Sequence, residues 1–400
     1  AAVQPMLRVP RIIAHGGGSI SRVPAILAEL GARRPLIVTD GFLASPQSGA
    51  LSALAAPLDA AGISYSVTAD TIPDPTSDSV DAVVEAMRAF KPDALIALGG
   101  GSPMDTAKAA GLIHSFGGHP RDYKAPRQTH APTGTPLVAI PTTAGTGSEV
   151  TQFTIVIDSS TGEKMLLAGA ALLPTAAVVD YELTLSMPLR LTADTGIDAL
   201  CHAMEAYVSK KANAMTDPTC LSALSRIGTH LRAVCEEPDD RPRREGMMLA
   251  ATEAGIAFSN SSVTLIHGMS RPLGARYHIP HGMSNAQLAP EVTAFSLGGA
   301  PGRYAAVCRA LGMCQPGLSD EDAASALPDG LRALCRDLAV PTLQQCSVTR
   351  ASLDAVAGSM AREALASGSP NNNPIVPTAE EIQALYQTIF RQGEASAAAA

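Results

Sequence analysis

No cysteine occurs among the first 200 residues, and the seven that follow, at 201, 220, 235, 308, 314, 335 and 346, form no Cys-x-x-Cys pair. An odd set without paired spacing excludes a disulfide scaffold or a zinc ribbon and points to a reducing, cytoplasmic compartment. Nor does any uncharged apolar run reach the ~18 residues that a membrane span needs. The start of the chain lacks a basic stretch followed by an apolar one, so no secretory signal is expected. Positive charge is also short: 29 Lys and Arg against 37 Asp and Glu leave a net charge of −8 and a pI near 5.6. Without a basic surplus to displace counterions from phosphates, a nucleic-acid partner is excluded. The one basic stretch, Arg241-Pro242-Arg243-Arg244, directly follows Glu236-Glu237-Pro238-Asp239-Asp240. Mixed signs among prolines read as a solvated loop.

What the chain does have is apolar surface. Hydrophobic residues fill 46% of its 400 positions and charged ones 16%, with mean hydropathy +0.14. Such a chain buries a large core, and its length suits two or three domains. No repeat of fixed period is present. Residues 394–400, Glu-Ala-Ser-Ala-Ala-Ala-Ala, are of low complexity and read as a disordered tail.

Two periodicities divide the rest. Up to residue 188, short apolar runs alternate with amphipathic segments. Strands are expected at Pro35–Thr39, Ile63–Thr68, Ala94–Leu98, Pro136–Ile140 and Ala177–Val179, with helices near Gln47–Ala61 and from a cap at Asp78 to Phe90. Strand–helix–strand order with brief Gly, Pro and Asp punctuation signals a parallel sheet covered by helices. After Pro188 the strand signal disappears. Thr192–Ser209, Asp217–Cys235, Arg243–Phe258, Tyr304–Leu311 and Thr378–Phe390 carry apolar residues at three- and four-residue spacing, the pattern of packed helices. The expected architecture is an α/β domain over 1–188 and an all-α domain over 189–393.

Glycines stand at two expected strand ends. In Ala94-Leu-Ile-Ala-Leu-Gly99-Gly100-Gly101-Ser102-Pro103, an apolar strand runs into three glycines, and Pro103 suits a first helical turn. Glycines admit close approach of a ligand, and free amides at a helix start favour a phosphate. A bare strand-to-helix turn is the alternative, but three glycines raise the entropy cost of folding without need. His15-Gly16-Gly17-Gly18-Ser19 is weaker, because Ser21 stands where the last Gly of G-x-G-x-x-G would be. Asp40, at the end of the Leu36–Thr39 strand, is placed either to accept from a ribose hydroxyl or to cap the next turn. A carboxylate there would repel a 2′-phosphate and favour NAD over NADP. Pro141-Thr142-Thr143-Ala144-Gly145-Thr146-Gly147-Ser148-Glu149 offers small hydroxyls and glycines at another strand end, suited to a ribose or pyrophosphate.

Asp198 and His202 lie four apart in a helical segment, on one face and one turn apart, where both reach a single ion. His267 and His281 lie 14 apart around Pro272 and Gly274, a break that lets the chain turn back so that both imidazoles converge. One carboxylate and three imidazoles suit Fe2+ or Zn2+ rather than Mg2+ or Ca2+. By spacing alone, a surface ion pair and helix-end histidines remain open readings.

With these blocks assembled, the chain resembles the iron-containing (group III) alcohol dehydrogenase family. The resemblance rests on Gly99-Gly-Gly-Ser-Pro-Met-Asp105-Thr-Ala-Lys108, Thr142-Thr-Ala-Gly-Thr-Gly-Ser-Glu149, Gly196-Ile-Asp198-Ala-Leu-Cys-His202-Ala-Met-Glu205, and His267-x13-His281 ending in Pro280-His281-Gly282. It implies a Rossmann-like dinucleotide-binding domain, a helical metal-binding domain, and an active site in the cleft between them. It also implies an oxidoreductase: an NAD(H)-linked alcohol dehydrogenase or aldehyde reductase passing hydride between a metal-bound alkoxide and nicotinamide. The implied metal ligands are Asp198, His202, His267 and His281, for Fe2+ with Zn2+ or another divalent ion as the alternative. The implied dinucleotide residues are Asp40, Gly99, Gly100, Gly101, Ser102, Asp105, Thr142, Thr143, Thr146 and Lys164. Phe153 and Phe258 match positions that wall the substrate pocket, or are plain core aromatics. A small alcohol or aldehyde is the implied partner, together with a second copy of the chain in a homodimer.

One departure stands out. Many relatives carry a second histidine one helical turn after the third ligand, where this chain has Arg271. His278 is a candidate to replace it in proton relay, or merely lines the cleft. Arg271 either favours an anionic or highly polar substrate or pairs with a local carboxylate. Glu205, three residues after His202, reads as a partner behind a ligand or as a solvated glutamate. Rival functions are a glycerol-dehydrogenase-like polyol oxidoreductase or dehydroquinate-forming cyclase on a related fold, a metal-dependent hydrolase without a redox step, and a cofactor-binding protein without catalysis.

Overall fold

The strands of the first half are β1 (Ile12–His15), β2 (Pro35–Val38), β3 (Ser66–Thr68), β4 (Ala94–Gly99), β5 (Gln128–Thr129), β6 (Leu137–Pro141), β7 (Phe153–Ile157), β8 (Lys164–Gly169) and β9 (Ala176–Val179). The structure, a computed structural model of the chain, describes residues 6–129 and 131–398. It divides into two compact units, one over Met6–Met187 and one beginning at Pro188.

In the first unit six strands form one sheet in the order β1-β9-β6-β4-β2-β3, every neighbouring pair parallel. Strands buried on both faces need apolar side chains at every position, which is why β2, β4, β6 and β9 are unbroken apolar runs. Successive side chains alternate faces. Leu36, Leu95, Ala97, Leu137 and Ala139 pack with helices α3 (Ser77–Phe90) and α4 (Gly101–Phe116). Ile37, Ile96, Leu98, Val138 and Ile140 pack with α1 (Val23–Glu29) and α2 (Ala50–Ala60). The strand order reverses beside β2: β3 lies outside it and β4 on its other side. The carboxyl ends of β2 and β4 flank this switch point, the place where open α/β sheets bind ligands.

A small second sheet, β5-β8-β7, was not expected; β7 and β8 pair antiparallel from Phe153↔Ala168 to Ile157↔Lys164. The helix start near Asp78 also needs correction. Thr76 caps α3, accepting from Ser79 N at 3.3 Å, while Asp78 sits in the first turn.

Behind the glycine turn, Lys108 is 2% exposed, and its Nζ lies within 3.1 Å of Ser148 Oγ, Thr151 O, Thr151 Oγ1 and Phe153 O. Burial pushes its pKa down to about 8, opposed by Asp105 and Glu149. This ammonium ties α4 to the Ser148–Phe153 segment and to the start of β7.

The second unit is helical: α5 (Leu189–Val208), α6 (Asp217–Glu236), α7 (Arg241–Asn260), α8 (Leu265–Tyr277), α9 (His281–Ser296), α10 (Pro301–Ala310), α11 (Asp320–Asp337), α12 (Arg350–Ala366) and α13 (Ala379–Ala398). Helix α5 packs against α6, α7 and α9 and is buried along almost its whole length. Arg241–Arg244 is not a solvated loop. It is the first turn of α7, capped by Asp240, whose Oδ1 accepts from Arg243 N at 3.1 Å. Arg244, 2% exposed, donates to Pro238 O at 2.7 Å and Thr192 Oγ1 at 3.0 Å. The expected break at Pro272–Gly274 is also absent: α8 runs through both residues, and the chain turns at His278, whose φ of 53° ends the helix. Residues 394–398, read as tail, continue α13, and 399–400 lie outside the described residues. No helix among the described residues is long and apolar enough to cross a membrane.

Replacing Lys108 by Met leaves its carbonyl and carboxylate partners buried without a cation. The expected loss is about 3–5 kcal/mol of unfolding free energy, read as a lowered urea midpoint; an unchanged midpoint would refute the role.

Candidate active site

Asp198 and His202 project from one face of α5, His267 from the first turn of α8, and His281 from the first residue of α9. From Asp198 Oδ1 the Nε2 atoms of His202, His267 and His281 lie 3.8, 3.5 and 3.7 Å away. All four donor atoms fall within 4.8 Å of one another. A tetrahedral ion with bonds of ~2.1 Å needs donor separations of about 3.4 Å, so the cluster is close to coordination distances. Gly282 makes this approach feasible: a Cβ there would lie 2.2 Å from Asp194 O, so a side chain would push the start of α9 off α5.

The imidazoles are held from behind. Glu205, one turn further along α5 and 1% exposed, bonds His267 Nδ1 through Oε2. Its Oε1 accepts from Thr264 Oγ1 at 2.8 Å and Ile266 N at 2.7 Å, so the same carboxylate caps the amino end of α8. It is therefore no solvated glutamate. With Nδ1 bonded to Glu205, Nε2 faces Asp198 Oδ1 at 3.5 Å and is the nitrogen that an ion would take. The His202 ring stacks on Phe258, with centroids 4.2 Å apart at 16°. Asn285, one turn after His281, donates from Nδ2 to Asp198 Oδ1 at 2.7 Å, and its buried Oδ1 has no hydrogen-bond partner among the described residues. The converging carboxylate and imidazole donors fit a bound divalent cation.

Burial alone would raise the pKa of Asp198, but His202, His281 and His267 hold it far below the ordinary carboxylate range. Burial would likewise lower that of His267; Glu205 and Asp198 overcome it and hold the imidazole well above its usual value.

At the switch point of the first unit, Gly99 has φ 153°, and a Cβ there would meet Pro103 Cγ at 2.5 Å, so only glycine fits. Gly100 caps α4 without a side-chain bond to the helix amides. Cβ positions at Gly100 and Gly101 would lie 3.3 Å from the methyls of Thr143 and Thr146, so the threonine loop packs on the glycine turn, and Thr142 N bonds Gly99 O at 3.0 Å.

Comparison with known proteins follows the same division. Residues 10–181 match the family described as iron-containing alcohol dehydrogenase, and 192–390 match the Fe-containing alcohol dehydrogenase family, C-terminal. The chain belongs to the iron-containing alcohol dehydrogenase family. The NAD-dependent methanol dehydrogenase of Bacillus methanolicus is 35% identical over 375 residues, 94% of this chain and 97% of that protein. The lactaldehyde reductase of Escherichia coli (strain K12) is 34% identical over 384 residues, 94% of this chain and 97% of its own. A solved alcohol dehydrogenase from Oenococcus oeni matches with a TM-score of 0.91 at 31% identity, covering 98% of this chain and 100% of that one. This family member is a metal-dependent, NAD(H)-linked alcohol dehydrogenase or aldehyde reductase acting on a small alcohol or aldehyde.

Within this iron-type dehydrogenase the remaining expected residues fall unevenly. Asp40 Oδ1 accepts from Leu43 N at 2.8 Å, the turn-capping alternative, and the residue is half-buried. Asp105 is engaged on both oxygens, by Ser148 Oγ at 3.3 Å and Ile155 N at 3.1 Å, and holds the threonine loop. Lys164 Nζ pairs with Asp74 at 2.7 Å. Ser102 gives its carbonyl to Thr106 Oγ1 at 2.9 Å, and Phe153 gives its own to Lys108 at 2.9 Å. His278 is exposed and forms the left-handed end of α8. Arg271 bonds Ser369 Oγ at 3.2 Å and no carboxylate among the described residues. Asn285 escaped sequence reading although it stands four residues after His281, the same interval that singled out Asp198 and His202.

Glu205→Gln keeps the shape but removes the charge behind His267; metal affinity should fall about 10–100-fold in a chelator competition. Because the metal-free His267 holds its proton above the usual imidazole pKa, an incoming ion must displace that proton. Affinity should therefore weaken as pH falls from 8 to 6, by up to about tenfold per unit, with proton release measurable by calorimetry in buffers of different ionisation heat. A flat profile would contradict the assignment.

Proposed function

We propose that Asp198, His202, His267 and His281 hold Fe2+, with Zn2+ the competing occupant, and that an alcohol or aldehyde oxygen is brought to that ion. The observation that carries this reading is the convergence of the four donor atoms with His267 fixed by Glu205. A divalent ion there would supply Lewis acidity, making an alcohol more acidic and a carbonyl more electrophilic, and a nicotinamide would supply the hydride chemistry. The protein's share is placement. Glu205 sets the tautomer of His267, Asn285 orients Asp198, and Phe258 stacks on His202 and walls the substrate side, with Phe153 proposed as a second wall.

For the dinucleotide, we assign the pyrophosphate to Gly99–Ser102 at the start of α4, supported by its uncapped amides and its position at the sheet's switch point. Thr142, Thr143 and Thr146 line the same place; Asp105 acts by holding their loop, and Lys164 is proposed near the ribose. Asp40 follows β2 at that point, which favours the ribose of NAD over the 2′-phosphate of NADP. His278 is the proposed route for the proton. Seven free thiols support a cytoplasmic site of action, and a homodimer is the proposed assembly.

The test is an NAD(H)-linked screen of alcohols and aldehydes on enzyme of measured metal content, with His267→Ala beside it. The variant should lose the metal and turnover yet bind NAD with unchanged affinity. A metal-replete, active variant would overturn the ligand set, and a wild type that fails to bind NAD would return the site to hydrolytic chemistry.

A further inference from the structure

Arg271 lies four residues after His267 on α8, hence on the same face and about 6 Å further along the helix. It is half-buried, and its one hydrogen bond among the described residues runs from Nη1 to the neutral hydroxyl of Ser369. A guanidinium carries five N–H donors in a planar fork, so most of its capacity is unspent. Burial lowers its pKa and the nearby Glu205 partly restores it. That carboxylate, however, is already shared among His267, Thr264 and the amino end of α8. Two buried carboxylates, Asp198 and Glu205, balance a divalent ion held by neutral imidazoles. The charge of Arg271 is then surplus. Several other arginines of this unit are paired with carboxylates, Arg303 with Asp217 at 2.6 Å, Arg332 with Glu291 at 2.5 Å and Arg226 with Glu253 at 3.2 Å, while Arg244 donates instead to Pro238 O and Thr192 Oγ1. A half-buried guanidinium with no carboxylate bonded to it among the described residues, one turn from a metal ligand, is suited to receive an anion.

We propose that Arg271 binds the carboxylate of the substrate, and that this enzyme acts on short ω-oxo acids and the matching ω-hydroxy acids. The proposal rests on the metal-centred reading of the preceding subsection and names its substrate class. The i, i+4 interval between His267 and Arg271 suits a short substrate that carries its carbonyl at one end and its carboxylate at the other. In the reductive direction NADH gives hydride to the aldehyde carbon and a proton adds to its oxygen, while the distant carboxylate stays chemically unchanged on the guanidinium.

The experiment compares 4-oxobutanoate with butanal on holoenzyme of measured metal content, and titrates the same protein with succinate, which cannot react, by calorimetry. Wild type should favour the charged aldehyde by about tenfold or more in kcat/KM and should bind succinate. In Arg271→Gln that preference should fall by about tenfold or more and succinate binding should weaken equally, with partial recovery in Arg271→Lys. Wild type that prefers butanal and ignores succinate overturns the proposal without any variant. So does a variant whose loss appears in the KM for NADH rather than in the ratio, since Arg271 would then serve the cofactor. If neither aldehyde is reduced, the redox reading itself has failed, while the succinate titration still decides whether Arg271 receives an anion.

Discussion

The carboxylate of Glu205 carries more of this structure than any other single group. Buried where charge is costly, it is stabilised by the ring of His267, the hydroxyl of Thr264 and two amides at the start of α8. One residue thereby joins α5 to α8, ends the amide deficit of a helix and fixes the tautomer of a metal ligand. Helix placement and ligand chemistry share one set of bonds. A change that loosens the helix also disorders the donor set.

The same economy explains the composition of α5. It is buried nearly all round, yet it presents Asp198, His202 and Glu205 inward, where an ordinary core helix would place leucines. Those polar groups are tolerable because each has a partner on another helix: Asn285 on α9 for Asp198, Phe258 on α7 for His202, and His267 on α8 for Glu205. Small residues permit the close approach, above all Gly282 against Asp194.

The sheet was legible because a doubly covered parallel strand must be apolar throughout, so β2, β4, β6 and β9 declare themselves. Ligand identities were legible too, since few residue types bind a borderline ion and their spacing follows the helix. The way His281 arrives was not. Pro272 and Gly274 look like a break, but α8 tolerates both, and a histidine at φ 53° makes the turn, a conformation that residue type alone does not announce. Nor was the burial of Glu205 and Arg244 visible. A charged side chain is solvated by default, and only the tertiary partners reverse that. The β7–β8 hairpin was missed because its alternation is short and lies against the threonine-rich loop.

The weaker glycine cluster, His15 to Ser19, turns out to hold an anion of its own. Asp180, 1% exposed, takes Gly18 N at 3.2 Å on one carboxylate oxygen and Ile20 N at 3.0 Å on the other. Asp180 thus plugs this turn from within, whereas the amides at the start of α4 carry no side-chain cap. An internal carboxylate of this kind takes the place that a phosphate would need, so the amides of Gly18 and Ile20 are not offered to an outside anion.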